Sequence, residues 1–172
     1  IEEEDLSRFD LLGVARLLAK AAAGENPDLI LTGLQSDDLG YGQTGVVMAE
    51  LLGLPHATII LQVEKTETGI RVKREMEDGW FQHMDIPLPA VLTIQSGINK
   101  LRYATLMGIK KAKTKEVKRL TSLDLGIDAV PRVWLDRVYL PHRAKQTTLI
   151  PGSPREQAAK LAEILKFEVR VL

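Results

Sequence analysis

The stretch Leu31-Thr-Gly-Leu-Gln-Ser-Asp-Asp-Leu-Gly-Tyr-Gly-Gln-Thr-Gly45 gathers the residues best suited to hold a small anion. It follows an apolar strand pattern and opens a helical one. In layered α/β folds, ligands collect at the carboxyl ends of the strands. A helix starting at Gln43, Thr44 and Gly45 presents unpaired backbone N–H groups and the positive end of its dipole. A phosphate placed there gains several hydrogen bonds, and the Thr44 hydroxyl adds a donor. Gly40 and Gly42 let the backbone approach a ligand closely. The stretch is neither a Walker A loop nor a dinucleotide fingerprint, since it has no Gly-Lys-Ser/Thr and no Gly-x-Gly-x-x-Gly. The same residues also suit an ordinary strand–loop–helix connection capped by its Ser and Asp side chains. Asp37 and Asp38 read as caps in preference to Mg²⁺ ligands.

A second stretch, Arg102-Tyr-Ala-Thr-Leu-Met-Gly-Ile-Lys-Lys-Ala-Lys-Thr-Lys115, sets Leu106, Met107 and Ile109 between Arg102 and a lysine cluster. With Lys110, Lys111, Lys113, Lys115, Lys118 and Arg119 it is the most basic part of the chain. One reading is a solvated basic helix. The other is a docking surface, with the apolar tip as anchor and the lysines steering an acidic-rimmed partner. Nucleic acid is disfavoured, because the interleaved aromatics of a stacking platform are missing. No catalytic constellation is expected: Ser36, Asp37 and Asp38 are too local for a triad, and no histidine supports them. Trp80, Phe81 and Trp134 read as core or interface residues.

These residues need elements to position them. Leu11, Leu12, Ala15, Leu18 and Ala19 recur at helical spacing over Asp10–Ala23, and Gly24 and Pro27 end that helix. Asp28–Thr32 is a continuously apolar strand of the kind covered on both faces in a parallel sheet. Gln43–Leu52 is the helix after the loop, closed by Gly53. The pattern then changes. Ala57–Glu64 and Gly69–Met76 read as strands joined at Glu67–Gly69. Asp78-Gly79 marks another turn, Trp80–Ile86 follows it, and Ala90–Ile94 is a short apolar strand. The expected fold class is α/β: an open, mostly parallel sheet with flanking helices and an antiparallel β insertion. Residues 95–119 have little apolar periodicity. Residues 120–153 are irregular, with Pro131, Pro141 and Pro151, and read as an extended arm. Ser153 as N-cap and Pro154 at the first position open a last helix running to about Lys166. Phe167–Leu172 is expected as a short strand or tail. The expected division is thus an α/β nucleotide-binding domain over 1–119 and an arm with a C-terminal helix over 120–172.

Composition sets outer limits. The 172 residues are 45% apolar and 27% charged, an ordinary globular profile. Acidic and basic residues balance at 23 each, so no global field points to nucleic acid or to a membrane. The absence of cysteine excludes disulfides, iron–sulfur ligation and thiol catalysis. His56, His83 and His142 form no metal-spacing pattern. No apolar run is long enough for a transmembrane helix, so membrane insertion is not expected. The chain opens on Ile1 and an acidic run, Glu2–Asp5, then passes almost at once into a helix, which reads as a chain entered in its middle.

Together these segments resemble the beta subunit of electron transfer flavoproteins. Asp28-Leu-Ile-Leu-Thr-Gly-Leu-Gln-Ser-Asp-Asp followed by Gly42-Gln-Thr-Gly45 is similar to the family's adenine-nucleotide loop. Leu88-Pro-Ala-Val-Leu92, then Leu101-Arg-Tyr-Ala-Thr-Leu106 and lysines, resembles its second hallmark. Leu12–Ala19 and Pro141-His-Arg143 agree as well, so the likeness covers nearly the whole chain. It implies a heterodimer with an alpha subunit that holds most of one FAD. It also implies a structural AMP on this subunit, at Gly33, Leu34, Gln35, Ser36, Asp37, Asp38, Gly42, Gln43 and Thr44. Electrons would pass from acyl-CoA or related dehydrogenases to a quinone oxidoreductase or similar acceptor, in the cytoplasm or the mitochondrial matrix. The chain would act as an electron carrier subunit without catalytic residues of its own. Arg102, Tyr103, Leu106, Met107, Ile109, Lys110 and Lys111 would dock the dehydrogenase, with Leu106 as anchor. The arm and last helix would wrap the alpha subunit. The run Asp-Asp-Leu-Gly-Tyr-Gly departs from the family's Asp-Asp-Asp followed by Asn or Cys, and Met107 stands where a proline is usual. Relatives are longer at the N-terminus by roughly a strand–helix–strand portion, and some hold a second flavin in place of AMP. A competing class is an ATP-binding stress or sensor domain, which predicts a homodimer; the extended arm argues against it. An ATP-using ligase is weaker, because the loop has no Lys or Arg.

Overall fold

The computed structural model describes residues 1–128, 130–141 and 147–171. Helix α1 spans Leu11–Glu25. The Asp10 carboxylate accepts from the Gly13 N–H at its start, and Asn26 closes it in the left-handed conformation. Strand β1 is Leu29–Gly33, α2 is Thr44–Leu52, and Gly53 caps α2 at φ +64°. Strands β2 (His56–Lys65), β3 (Ile70–Glu75), β4 (Phe81–Ile86) and β5 (Ala90–Ile94) come next. The turn between β2 and β3 is closed by the Thr66 N–H donating to Gly69 O at 3.0 Å.

The five strands form one sheet in the order β1-β5-β2-β3-β4. β5 runs parallel to β1 and β2, while β3 and β4 add antiparallel to β2. The expected α/β fold with an antiparallel insertion is therefore present. Register explains the two faces. Ile30 and Val91 sit side by side, as do Thr32 and Thr93, while Leu29, Leu31, Leu92 and Ile94 alternate to the other face. On one side Ala15 and Ala19 of α1 meet Met48 of α2, joined by Ile30, Val47 and Leu52. On the other, Ala57, Ile60, Ile70, Val72, Ile86, Ala90 and Leu92 form the main core. Ile60, Val72, Val91 and Leu92 are fully buried, each contributing roughly 1.5–3 kcal/mol relative to exposure.

β2 does not run straight. Its register against β5 shifts between Ala57 and Ile60, and Ile59 there has φ +59°. The Thr93 hydroxyl accepts the Ile59 N–H at 3.3 Å. A β-branched residue with positive φ is sterically costly, so the bulge persists because Thr93 and the flanking ladder hold it.

Contacts divide the chain into two units, Ile1–Trp134 and Leu135–Leu172. The first includes a third helix, α3, over Leu106–Ala112. The irregular stretch after it is tied to the α1 end. The Glu2 N–H donates to Leu120 O (2.8 Å), and Lys118 pairs with Glu25 (2.7 Å). Asp10 accepts from the backbone N–H groups of Arg132 (2.7 Å) and Val133 (3.3 Å). In the second unit, the last helix α4 spans Pro154–Glu163 with a full capping box between Ser153 and Glu156. In place of the expected strand or tail over 167–172, Ile164–Val169 continue as a π turn, and Arg170 ends it in the left-handed conformation. The apolar alternation Phe167, Val169, Val171 imitates a strand, but no neighbouring strand pairs with it among the described residues. His142 and Arg143 of the Pro141–Arg143 motif lie outside the described residues.

Candidate functional site

The Leu31–Gly45 stretch leaves the sheet at the carboxyl end of β1. The Leu34 N–H still donates to Ile94 O (3.2 Å), so the ladder to β5 extends one residue beyond the strand. The chain then turns through Asp37–Leu39 and returns to α2. The Ser36 hydroxyl accepts from the Gly40 N–H (3.4 Å), and the Asp38 carboxylate accepts from the Leu39 N–H (2.7 Å). Hydrogen bonds from the Ser36 side chain, then from backbone N–H groups, hold Asp38 below the usual carboxylate range. Both residues bind the loop to itself, as caps do. Gly40 and Gly42 have φ of +64° and +61°, conformations that other residues reach only under strain.

The first turn of α2 lies directly on the strand ends. A Cβ on Gly45 would meet Thr32 Oγ1 at 2.3 Å and Thr93 Cγ2 at 2.6 Å, so only glycine permits this approach. Gln43 is the N-cap residue but makes no side-chain cap. The first intrahelical bond runs from the Val47 N–H to Gln43 O (2.9 Å). The N–H groups of Thr44, Gly45 and Val46 thus have no acceptor among the described residues. α1, α3 and α4 are each closed by a side chain: Asp10, Thr105 and Ser153. Beneath this turn, Thr32 Oγ1 is buried without a partner.

A cleft of about 480 Å³ opens at this point. Gly33, Leu34, Gln35, Ser36, Gly42, Gln43 and Thr44 line it, and Asp37 lines a second hollow of about 600 Å³ with Ile94, Gln95 and Ser96. Asp38 lines neither. The cleft's far wall is the start of α1 and the two residues before it, through Phe9, Asp10, Leu11, Val14 and Leu18. Sequence reasoning missed this wall. Its signal was Leu18, an apolar residue of α1 left partly exposed beside the buried Ala15 and Ala19. The arrangement is a half-apolar slot ending at uncapped helix donors, which suits a flat ring system attached to a phosphate.

The second stretch forms the seven-residue α3, with the Thr105 hydroxyl accepting from the Gly108 N–H at 3.1 Å. Lys110 and Lys111 lie in its last turn, favourable at a helix C-terminus. None of its residues is buried: Leu106 is 81% exposed, and Met107, Ile109 and Tyr103 also face solvent. Arg102 and Tyr103 precede it in irregular backbone. The cleft and the apolar tip are therefore formed by different residues. Among the described residues no cluster of three or more His, Asp or Glu is arranged to hold a metal. No helix of the described residues is long and apolar enough to cross a membrane.

Residues 1–125 match the electron transfer flavoprotein domain. The chain is 39% identical over 166 residues to the electron transfer flavoprotein subunit beta of Methylophilus methylotrophus, covering 91% of this chain and 62% of that protein. It is 34% identical to the Bacillus subtilis subunit beta, covering 99% of this chain and 67% of that protein. It is 37% identical to the subunit beta of Mus musculus over 89% of this chain and 59% of that protein. The chain thus spans about three fifths to two thirds of the length of these curated relatives. Further relatives include subunits beta named as mitochondrial, among them that of Arabidopsis thaliana.

Proposed function

Since the chain belongs to the electron transfer flavoprotein family, on its beta-subunit side, we propose that it forms one half of a two-subunit electron carrier and holds a structural AMP. The carrying observation is the uncapped start of α2 above the orphaned Thr32 hydroxyl. A phosphate there meets the Thr44, Gly45 and Val46 N–H groups and the Thr44 hydroxyl. Hydrogen bonds to charged groups contribute about 1.5–3 kcal/mol each, with about 0.3–1 kcal/mol more from the helix dipole. The adenine and ribose then lie along Leu34, Gln35 and the α1 wall. The cleft of about 480 Å³ and the open backbone donors at the start of α2 support a nucleotide monophosphate as the ligand.

FAD, held mainly by the alpha subunit, supplies the electron chemistry of the pair. This chain's residues bind, position and steer. Leu106 enters an apolar recess of an acyl-CoA-type dehydrogenase, with Tyr103, Met107 and Ile109 beside it. Arg102, Lys110 and Lys111 guide encounter with an acidic rim, and the same pair passes its electrons on to a quinone oxidoreductase. Residues 120–172 wrap the alpha subunit. The exposed Leu135, Val138, Tyr139 and Leu140 support that role.

Native mass spectrometry of the chain with its natural partner tests the reading. One FAD and one AMP in a heterodimer is the expected mass. Two FAD would replace AMP by a second flavin at the same cleft. A homodimer with ATP would move the chain to the sensor class.

A further inference from the structure

Two helix N-termini line the cleft, and they differ in charge. The start of α2 is open, whereas α1 begins under the Asp10 carboxylate. That carboxylate does more than cap. Its Oδ1 accepts from the Gly13 N–H at 2.8 Å. Its Oδ2 accepts from the N–H groups of Arg132 (2.7 Å) and Val133 (3.3 Å). One oxygen serves the helix, and the other holds backbone 122 residues further along the chain. Among the described residues no other hydrogen bond ties residues 130–134 to the rest of the first unit. The second unit begins at Leu135, just beyond this tie.

Asp10 also lines the cleft, between Phe9 and Leu11. A carboxylate offers about four acceptor positions. The N–H groups of Gly13, Arg132 and Val133 use three of them, which leaves one for a donor in the cleft. The two ends of the cleft therefore ask for different chemistry. A phosphate is repelled by the Asp10 carboxylate and drawn to the open start of α2. A neutral hydroxyl donor suits the Asp10 end, and a ribose carries two.

We propose that Asp10 is a positioning residue shared by ligand and chain: it accepts a ribose hydroxyl of the bound nucleotide while its second oxygen fastens Arg132 and Val133. The proposal rests on the nucleotide reading above. A hydroxyl bond to Asp10, with the ligand packed against Leu11 and Val14, fixes the carboxylate in place. The entropy of ordering it is then already spent when the two amides bind, so an occupied cleft holds them more firmly. The effect is reciprocal by linkage. The factor that nucleotide adds to the fastening of Arg132 and Val133 is the factor that the fastening adds to nucleotide affinity.

The test uses the purified two-subunit complex, stripped of nucleotide and with AMP added back. Asp10→Ser and Asp10→Asn are compared with the wild type, because Ser and Asn cap helices as well as Asp but supply no second carboxylate oxygen. Amide hydrogen exchange at Arg132 and Val133 should slow about fivefold or more when AMP is added to the wild type. In both variants it should be fast and indifferent to AMP, while amides within α1 exchange as in the wild type. Calorimetric AMP affinity should fall about tenfold in Asp10→Ser. The wild type should prefer AMP to its 2′-deoxy or 3′-deoxy analogue, and Asp10→Ser should lose that preference. Wild-type exchange at the two amides that ignores AMP, or speeds up with it, overturns the coupling; AMP binding in the same samples leaves the nucleotide reading intact. Equal wild-type affinity for AMP and both deoxy analogues overturns the ribose contact. A wild-type complex that binds no AMP overturns the nucleotide reading and this proposal together.

Discussion

The start of α2 and the start of α3 are two helix N-termini with opposite designs. α2 leaves three backbone donors open, lies on the sheet through a glycine, and is walled by α1. α3 closes its own donors with Thr105 and buries nothing, so its apolar residues all face outward. The first is a candidate site made of backbone, in which side chains mostly stay out of the way. The second is a candidate site made of side chains on a helix start that its own Thr105 closes. The difference decides how each fails: the backbone site through crowding, the side-chain site through truncation.

Gly45→Ala should be the most damaging single change. Its methyl would overlap Thr32 and Thr93 on two strands, and overpacking of this kind costs about 1–3 kcal/mol or more. Urea unfolding of the complex should show that loss, with nucleotide content falling in parallel. Wild-type stability would mean that α2 does not press against the strand ends. Leu106→Ala should do the reverse. At a surface position the stability change stays within about 0.5 kcal/mol, while an interface anchor of this kind costs about 2 kcal/mol of affinity. Stopped-flow electron transfer with a cognate dehydrogenase reads the second number, and unchanged rates would remove the docking role.

Thr32→Val sharpens the contrast at lower amplitude. Removing an unpaired buried hydroxyl should be near neutral for folding, yet lower AMP affinity by about 1 kcal/mol if that hydroxyl turns to the ligand. Calorimetric titration distinguishes the two, and a purely structural role would show as lost stability with AMP affinity intact. The smallest effect is on the loop itself. The folded-state pKa of Asp38 is depressed, so its contribution is complete above the ordinary aspartate value. It is lost as pH falls through the lower folded value. The protection factor of the Leu39 amide, its exchange rate relative to the unprotected rate at the same pH, should fall on acidification within that window, and an unchanged factor would show that the carboxylate does not hold the loop.

Much of the fold was legible because its signals are local. The helical spacing of Leu11, Ala15, Leu18 and Ala19 located α1, and Ser153-Pro154 with Glu156 set the start of α4. The uninterrupted Leu29-Ile-Leu run marked a strand, but one expected to be covered on both faces, whereas β1 is the sheet's edge and leaves Leu31 58% exposed. The tail was misread because Phe167, Val169 and Val171 alternate like a strand, while a strand also needs a neighbour to pair with. α3 was only half legible, since seven residues hold too few turns to produce a periodic signal.

The candidate cleft divides the same way. Gly40, Gly42, Gln43, Thr44 and Gly45 stood out by residue type and spacing, as glycines and donors at the junction of strand and helix. The sequence alone therefore determined the element types, their caps and the place where an anion could meet a helix start, because each depends on neighbours within one turn. The tertiary structure alone decided that Thr32 and Thr93 lie under Gly45, that α1 walls the cleft, that Leu106 and Trp80 face outward, and that Arg74 has no acceptor. Those facts depend on the sheet order, which inserts β5 between β1 and β2. Pairing of strands distant in the chain is set by the burial of whole faces, and no local pattern encodes it.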